Sequence, residues 1–143
     1  MTLLLVLAAC SQAPALPASG PLVTVTTRGG ECLQGPCGSS TVIERDGRVH
    51  LTAPAAAELG MVPADILVAL DAAIKIADFD AIRAVAFDAE CPVNVDGQEF
   101  IYEFGAPGGL ERVASCETRI DPAHPVFAAL NAALVAVDVI PAA

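Results

Sequence analysis

Tryptophan is absent from this 143-residue chain, tyrosine occurs once and phenylalanine five times. So few rings make each one count in the core, because an aromatic buries more area than other side chains. Positive charge is equally scarce: seven Lys and Arg stand against seventeen Asp and Glu, a formal net charge of −10. A chain this acidic is repelled by phosphate backbones and anionic headgroups, which argues against nucleic acid as a partner. The N-terminal apolar run Leu3–Ala9 is far shorter than the roughly 18 residues a membrane-spanning helix needs. Histidine is nearly missing, with only His50 and His124 to serve as bases. No Gly-x-Ser-x-Gly elbow surrounds a serine, and no glycine-rich phosphate loop leads into a helix.

What is present begins at Cys10. Two small residues precede it in Leu7-Ala8-Ala9-Cys10. This resembles the lipobox of bacterial lipoproteins. The resemblance implies that residues 1–9 are a signal peptide and that Cys10 is acylated as the first mature residue. Met1-Thr2 departs from the usual pattern, since it carries no Lys or Arg. The implied location is extracytoplasmic, with lipid holding the chain to a bacterial membrane: the outer leaflet of the cytoplasmic membrane, or the outer membrane. Two or more acyl chains anchor stably where one does not. The alternative is a cytosolic protein with a frayed apolar end. Residues 10–21, rich in proline and small residues, read as a flexible tether. Residues 22–140 have the length of a single domain.

Four further cysteines remain, Cys32, Cys37, Cys91 and Cys116. An even number in an exported chain argues for two disulfides. Three pairings can be drawn. Cys32–Cys37 with Cys91–Cys116 is favoured, because Gly35-Pro36 can turn the small first loop and the second bond ties the segment before a hairpin to its return strand. A four-thiolate zinc site fits poorly, as neither pair is Cys-x-x-Cys. A redox pair at Cys32 and Cys37 lacks the two-residue spacing at a helix start that lowers a thiol pKa.

The apolar pattern predicts an α+β fold: a small antiparallel sheet of about four to six strands, with two or three helices packed on one face. Leu22–Arg28 alternates as a half-buried strand. Thr41–Arg45 and Arg48–Thr52 flank Asp46-Gly47, a strong hairpin signal. Segment 53–61 is ambiguous between helix and a short edge strand around Leu59–Val62. A helix follows with Pro63 at its first position and a stripe of Ile66, Leu70, Ile74 and Ala77. Asp78-Phe79-Asp80 reads as the cap of a short helix over Ala81–Ala84. Beyond a loop, Gln98–Phe104 places Phe100, Tyr102 and Phe104 on one face and Glu99, Ile101 and Glu103 on the other. That aromatic stripe is either a ligand platform or, the preferred reading, the core face beneath the helices. Leu110–Cys116 returns as a strand, and a final helix spans Pro125–Val137.

Gly29-Gly30-Glu31-Cys32, Gly35-Pro36-Cys37, Asp46-Gly47-Arg48-Val49, Asp78-Phe79-Asp80, Cys91-Pro92, Asp96-Gly97-Gln98-Glu99 and Ser115-Cys116 together resemble small bacterial lipoproteins and exported proteins built on a domain of unknown function. The resemblance covers most of the chain after the tether. It implies an exported disulfide-bonded domain and brings no assigned activity or catalytic residues.

These observations predict no catalytic residues, no cofactor and no metal. The acidic residues Asp78, Asp80, Asp88 and Glu90 lack a regular calcium-loop spacing. The expected role is a non-catalytic binding or interaction module whose partner, beyond membrane lipid at Cys10, is an envelope protein or ligand. Its candidate contact surface is the loop Cys32, Leu33, Gln34, Gly35, Pro36 and Cys37, since constrained loops often carry recognition. An inhibitor of an extracellular hydrolase is the alternative, and a small envelope enzyme using His50 or His124 is the weaker one.

Overall fold

The structure is a computed structural model that describes residues 20–30, 32 and 37–140. The expected α+β architecture is what it shows. Six antiparallel strands form one sheet: β1 (Pro21–Arg28), β2 (Gly38–Glu44), β3 (Arg48–Ala53), β4 (Ala57–Met61), β5 (Glu99–Ala106) and β6 (Gly109–Ala114). Three helices, α1 (Ala64–Ile76), α2 (Phe79–Arg83) and α3 (Pro125–Ala136), pack on it. The strand order is β4-β3-β2-β1-β5-β6. The first strand therefore lies inside the sheet, hydrogen-bonded to β2 on one side and to β5 on the other.

Register decides which residues face the helices. Val23, Val25 and Thr27 lie directly opposite Phe104, Tyr102 and Phe100 on β5. On β2 they lie opposite Ile43, Thr41 and Ser39. Opposed residues share a face, so this set forms the floor beneath the helices. A register shift between Pro21 and Val23 lets the adjacent Leu22 and Val23 both be buried, because a bulge breaks strict alternation. Phe104 is fully buried at the centre, with the rings of Phe79 and Phe127 5.2 and 5.9 Å away. From above, Leu70 and Ile74 of α1 and Leu130 and Ala133 of α3 close the core.

Local chemistry explains the element ends. The Asp78 side chain accepts a hydrogen bond from Ala81 N at 2.9 Å and starts α2 at Phe79, two residues before the expected start. Pro63 stands at the N-cap of α1 with extended ψ, one position before the helix, and does not occupy its first turn. The Asp71–Lys75 pair forms on α1 as the spacing requires. The hairpin at Asp46-Gly47 is a three-residue turn: Gly47 N donates to Glu44 O at 2.9 Å, and Gly47 alone takes positive φ, at 90°. A turn closed by one left-handed glycine keeps β2 and β3 twisted together. Within the ambiguous segment 53–61, Ala53 ends β3 and Ala57–Met61 forms β4, paired along β3.

Segment 84–98, the long connection between α2 and β5, is stitched to the stretch after β6. Phe87 N donates to Glu117 O at 3.1 Å and Arg119 N to Val85 O at 2.8 Å. Cys91 bonds Cys116, and Cys32 bonds Cys37, so both disulfides take the favoured pairing. The connection ends in a 3-10 turn, Pro92–Val95, lying against β1's end. A Cβ at Gly29 would meet Val93 Cγ1 at 2.4 Å and Gly97 O at 2.8 Å, so only glycine allows this approach.

Candidate functional site

The aromatic stripe on β5 grades from core to surface. Phe104 is sealed, Tyr102 is half-buried, and Phe100 is 40% exposed. Phe100 thus departs from the expectation that every ring would be core. It falls at the end of the sheet that α3 leaves uncovered, beside a cleft of about 560 Å3 between the sheet floor and α3. This is within the range of small-molecule pockets. The stripe is core at one end and the wall of an open cleft at the other, so the two readings divide along its length.

Four elements build the cleft. Its floor is Val25 and Thr27 of β1 with Ser39 and Thr41 of β2; one wall is Phe100 and Tyr102. The other wall is α3, through Phe127, Leu130, Asn131 and Leu134, and Val139 and Ile140 close the end. The Tyr102 and Phe127 rings meet edge to face at 5.2 Å, the geometry favoured by aromatic quadrupoles. No charged side chain lines the cleft among the described residues.

Its polar groups differ in how they are satisfied. At the mouth, the Thr27 and Ser39 hydroxyls lie 3.0 Å apart, and Ser39 N donates to Thr27 Oγ1 at 2.9 Å. Deeper in, Thr41 is 5% exposed and its hydroxyl has no hydrogen-bond partner among the described residues. Its oxygen is not sealed from the cleft. The Tyr102 hydroxyl is likewise unpaired there, and burial pushes its pKa above 10.0. The Thr41 hydroxyl is thus open to water or to a ligand group, on a floor it shares with Val25, Thr27 and Ser39.

No protein-family model matches the chain, and neither a curated protein sequence nor a solved structure matches it.

The residues singled out in the sequence are distributed as follows. Cys10, the tether up to residue 19 and loop residues Leu33, Gln34, Gly35 and Pro36 lie outside the described residues. The described ends of that loop, Cys32 and Cys37, are joined, as are Cys91 and Cys116. His50 sits on the sheet side opposite the helices, with Nε2 3.8 Å from Glu44 Oε1. His124 caps α3, its Nδ1 accepting from Val126 N at 3.3 Å. The two imidazoles belong to opposite sides of the sheet and serve no common site. The acidic residues are dispersed: Asp78 caps α2, Asp80 pairs with Arg83 at 2.5 Å, and Asp88 pairs with Arg119 at 2.6 Å. The Arg119 hydrogen bond holds the Asp88 carboxyl below the usual range. No group of three or more His, Cys, Asp or Glu arranged to hold a metal occurs among the described residues.

Glu99 is the residue whose burial alternation alone does not give. It lies on the outward face of β5, as expected, yet is 1% exposed. Arg28, its direct cross-strand partner, bonds its carboxylate through Nε. A buried carboxylate needs such a partner. Among the described residues, no helix is long and apolar enough to cross a membrane.

Proposed function

We propose that this chain is a lipid-anchored, extracytoplasmic binding module, and that its ligand site is the cleft between the sheet and α3. The single observation that carries the site is the open cleft of about 560 Å3, walled by Phe100, Tyr102 and Phe127, with the unpaired Thr41 hydroxyl inside it. An opening of this size, walled by aromatic rings and offering a hydroxyl that no protein group occupies, suits a small ligand. The anchor rests on Leu7-Ala8-Ala9-Cys10, and the two disulfides suit an oxidising compartment. The loop closed by Cys32 and Cys37 remains a second candidate contact surface.

Tyr102 is the only tyrosine, and the chain has no tryptophan, so ultraviolet-excited emission reports from the cleft wall itself. The neutral dye N-phenyl-1-naphthylamine is expected to bind one per chain, gain fluorescence and quench Tyr102. Asn131→Trp, at an exposed position on the cleft's α3 rim, is expected to weaken the dye at least tenfold while leaving the melting temperature unchanged. Equal dye binding by both proteins would remove the cleft from consideration. For the anchor, intact mass of protein extracted from membranes is expected to show acylated Cys10 and four oxidised thiols. An unprocessed N-terminus with free thiols would overturn that part.

A further inference from the structure

We infer that the ligand of this cleft is an uncharged amphiphile, an apolar chain or ring bearing a hydroxyl or carbonyl that pairs with Thr41. The inference rests on the cleft being the binding site, and it adds the chemistry of the occupant.

One observation weighs against ions of either sign, and a second against anions alone. No Lys, Arg, His, Asp or Glu lines the cleft among the described residues. A carboxylate, phosphate or ammonium entering it would lose its water and find no counter-charge, a cost an apolar wall cannot return. The surrounding chain, with net charge −10, adds repulsion for anions.

Two observations select for a neutral polar group. Thr41 is 95% withdrawn from solvent (5% exposed), is fixed on a central stretch of β2 and presents a hydroxyl that nothing in the described protein satisfies. Its direct cross-strand neighbour on β1 is Val25, and Val25 in turn faces Tyr102 on β5. Thr41 and Tyr102 therefore stand on either side of one apolar residue on the same face of the sheet. A hydroxyl both donates and accepts, so a ligand carbonyl or alcohol can complete either one. A pure hydrocarbon would leave both unpaired and forfeit the difference, which is how a site built around buried polar groups discriminates. Of the remaining lining, Phe100, Phe127, Leu130, Leu134, Val139 and Ile140 suit a flexible or planar apolar body, while Thr27, Ser39 and Asn131 carry uncharged polar groups at the mouth and rim.

The test is displacement of N-phenyl-1-naphthylamine from the full-length, disulfide-intact protein by three ten-carbon probes: 1-decanol, decanoate and decyltrimethylammonium. 1-Decanol is expected to displace the dye at one tenth or less of the concentration either ion requires. Thr41→Val keeps the branched shape and removes the hydroxyl. It is expected to weaken 1-decanol about three- to tenfold, the range of one neutral hydrogen bond, while dye affinity stays within twofold. Tyr102→Phe serves as a second variant with the same expected direction, so the conclusion does not hang on one protein folding well. An ion that displaces as effectively as 1-decanol, or 1-decanol affinity unmoved in both variants, overturns the ligand class and leaves the cleft standing. A wild-type protein that does not bind the dye, or an Asn131→Trp protein that binds it undiminished, overturns the cleft and the ligand class with it.

Discussion

Removing the Cys91–Cys116 bond is the perturbation whose size follows most directly from the structure. The bond closes a ring across a sequence separation of 25, whereas Cys32–Cys37 closes one of 5. On the chain-entropy account these rings restrict the unfolded chain by about 3.5 and about 2 kcal/mol respectively. In a domain of this size 1 kcal/mol moves the midpoint by roughly 4 °C. Cys91→Ser with Cys116→Ser is therefore expected to melt about 14 °C lower than the parent, and Cys32→Ser with Cys37→Ser about 8 °C lower. The fold survives the first change, because Phe87 N to Glu117 O and Arg119 N to Val85 O still hold segment 84–98 near its start. Thermal circular dichroism of the three proteins makes the comparison, with urea titration as a check. The unfolded ensemble of the longer-ring variant expands most, so its m-value rises most. A loss below about 4 °C for the 91/116 variant, or a smaller loss than for the 32/37 variant, would refute the reasoning.

Three further outcomes are expected. Phe104→Ala, which empties a fully buried site between Phe79 and Phe127, costs about 3–5 kcal/mol by urea denaturation, whereas Phe100→Ala on the rim costs less than about 1 kcal/mol; equal costs would contradict the graded stripe. Arg28→Ala strands the buried Glu99 carboxylate and costs about 3 kcal/mol, and adding Glu99→Gln recovers most of it; a double variant no better than the single one would show that the charge is not the cause. Absorbance at 295 nm follows the sole tyrosine, whose burial raises its pKa above 10.0. The folded protein keeps that proton to higher pH than the unfolded chain does, so stability is full below pH 10 and declines as pH rises through the folded value. A phenol titrating at or below 10 in the folded protein would contradict its burial.

The elements that could be read from the sequence are those governed by neighbours in the chain. Val23 and Val25 alternating with threonines, Asp46-Gly47 between two strands, and the Phe100-Tyr102-Phe104 stripe each carry a local period or a turn residue that acts over a few positions. Asp78 could be named as a cap because its oxygen meets Ala81 N within a single turn. The rest depends on which distant segment lies alongside. Placing β1 between β2 and β5 joins Thr27 to Ser39 and to Phe100 across long separations, and no local period encodes that order. The cleft is a product of the same assembly: Thr41 reads as one more threonine in a strand until Val25 and α3 stand around it. Glu99 illustrates the limit of alternation, which gives a side chain's direction but not what lies beyond it. Segment 53–61 was ambiguous because alanine favours helix while Pro54 and Gly60 oppose it. Pairing with β3 settles the matter in favour of strand.

The inner position of β1 has a mechanical consequence. Any load reaching the domain from its N-terminal side enters at Pro21, along a strand gripped on both edges by antiparallel ladders. Drawing that strand out lengthwise shears two ladders at once and cannot peel them rung by rung, so the domain resists being dragged from the side where the proposed anchor would hold it. Force applied at β6, with one edge free, meets only a single ladder and unzips it from the end.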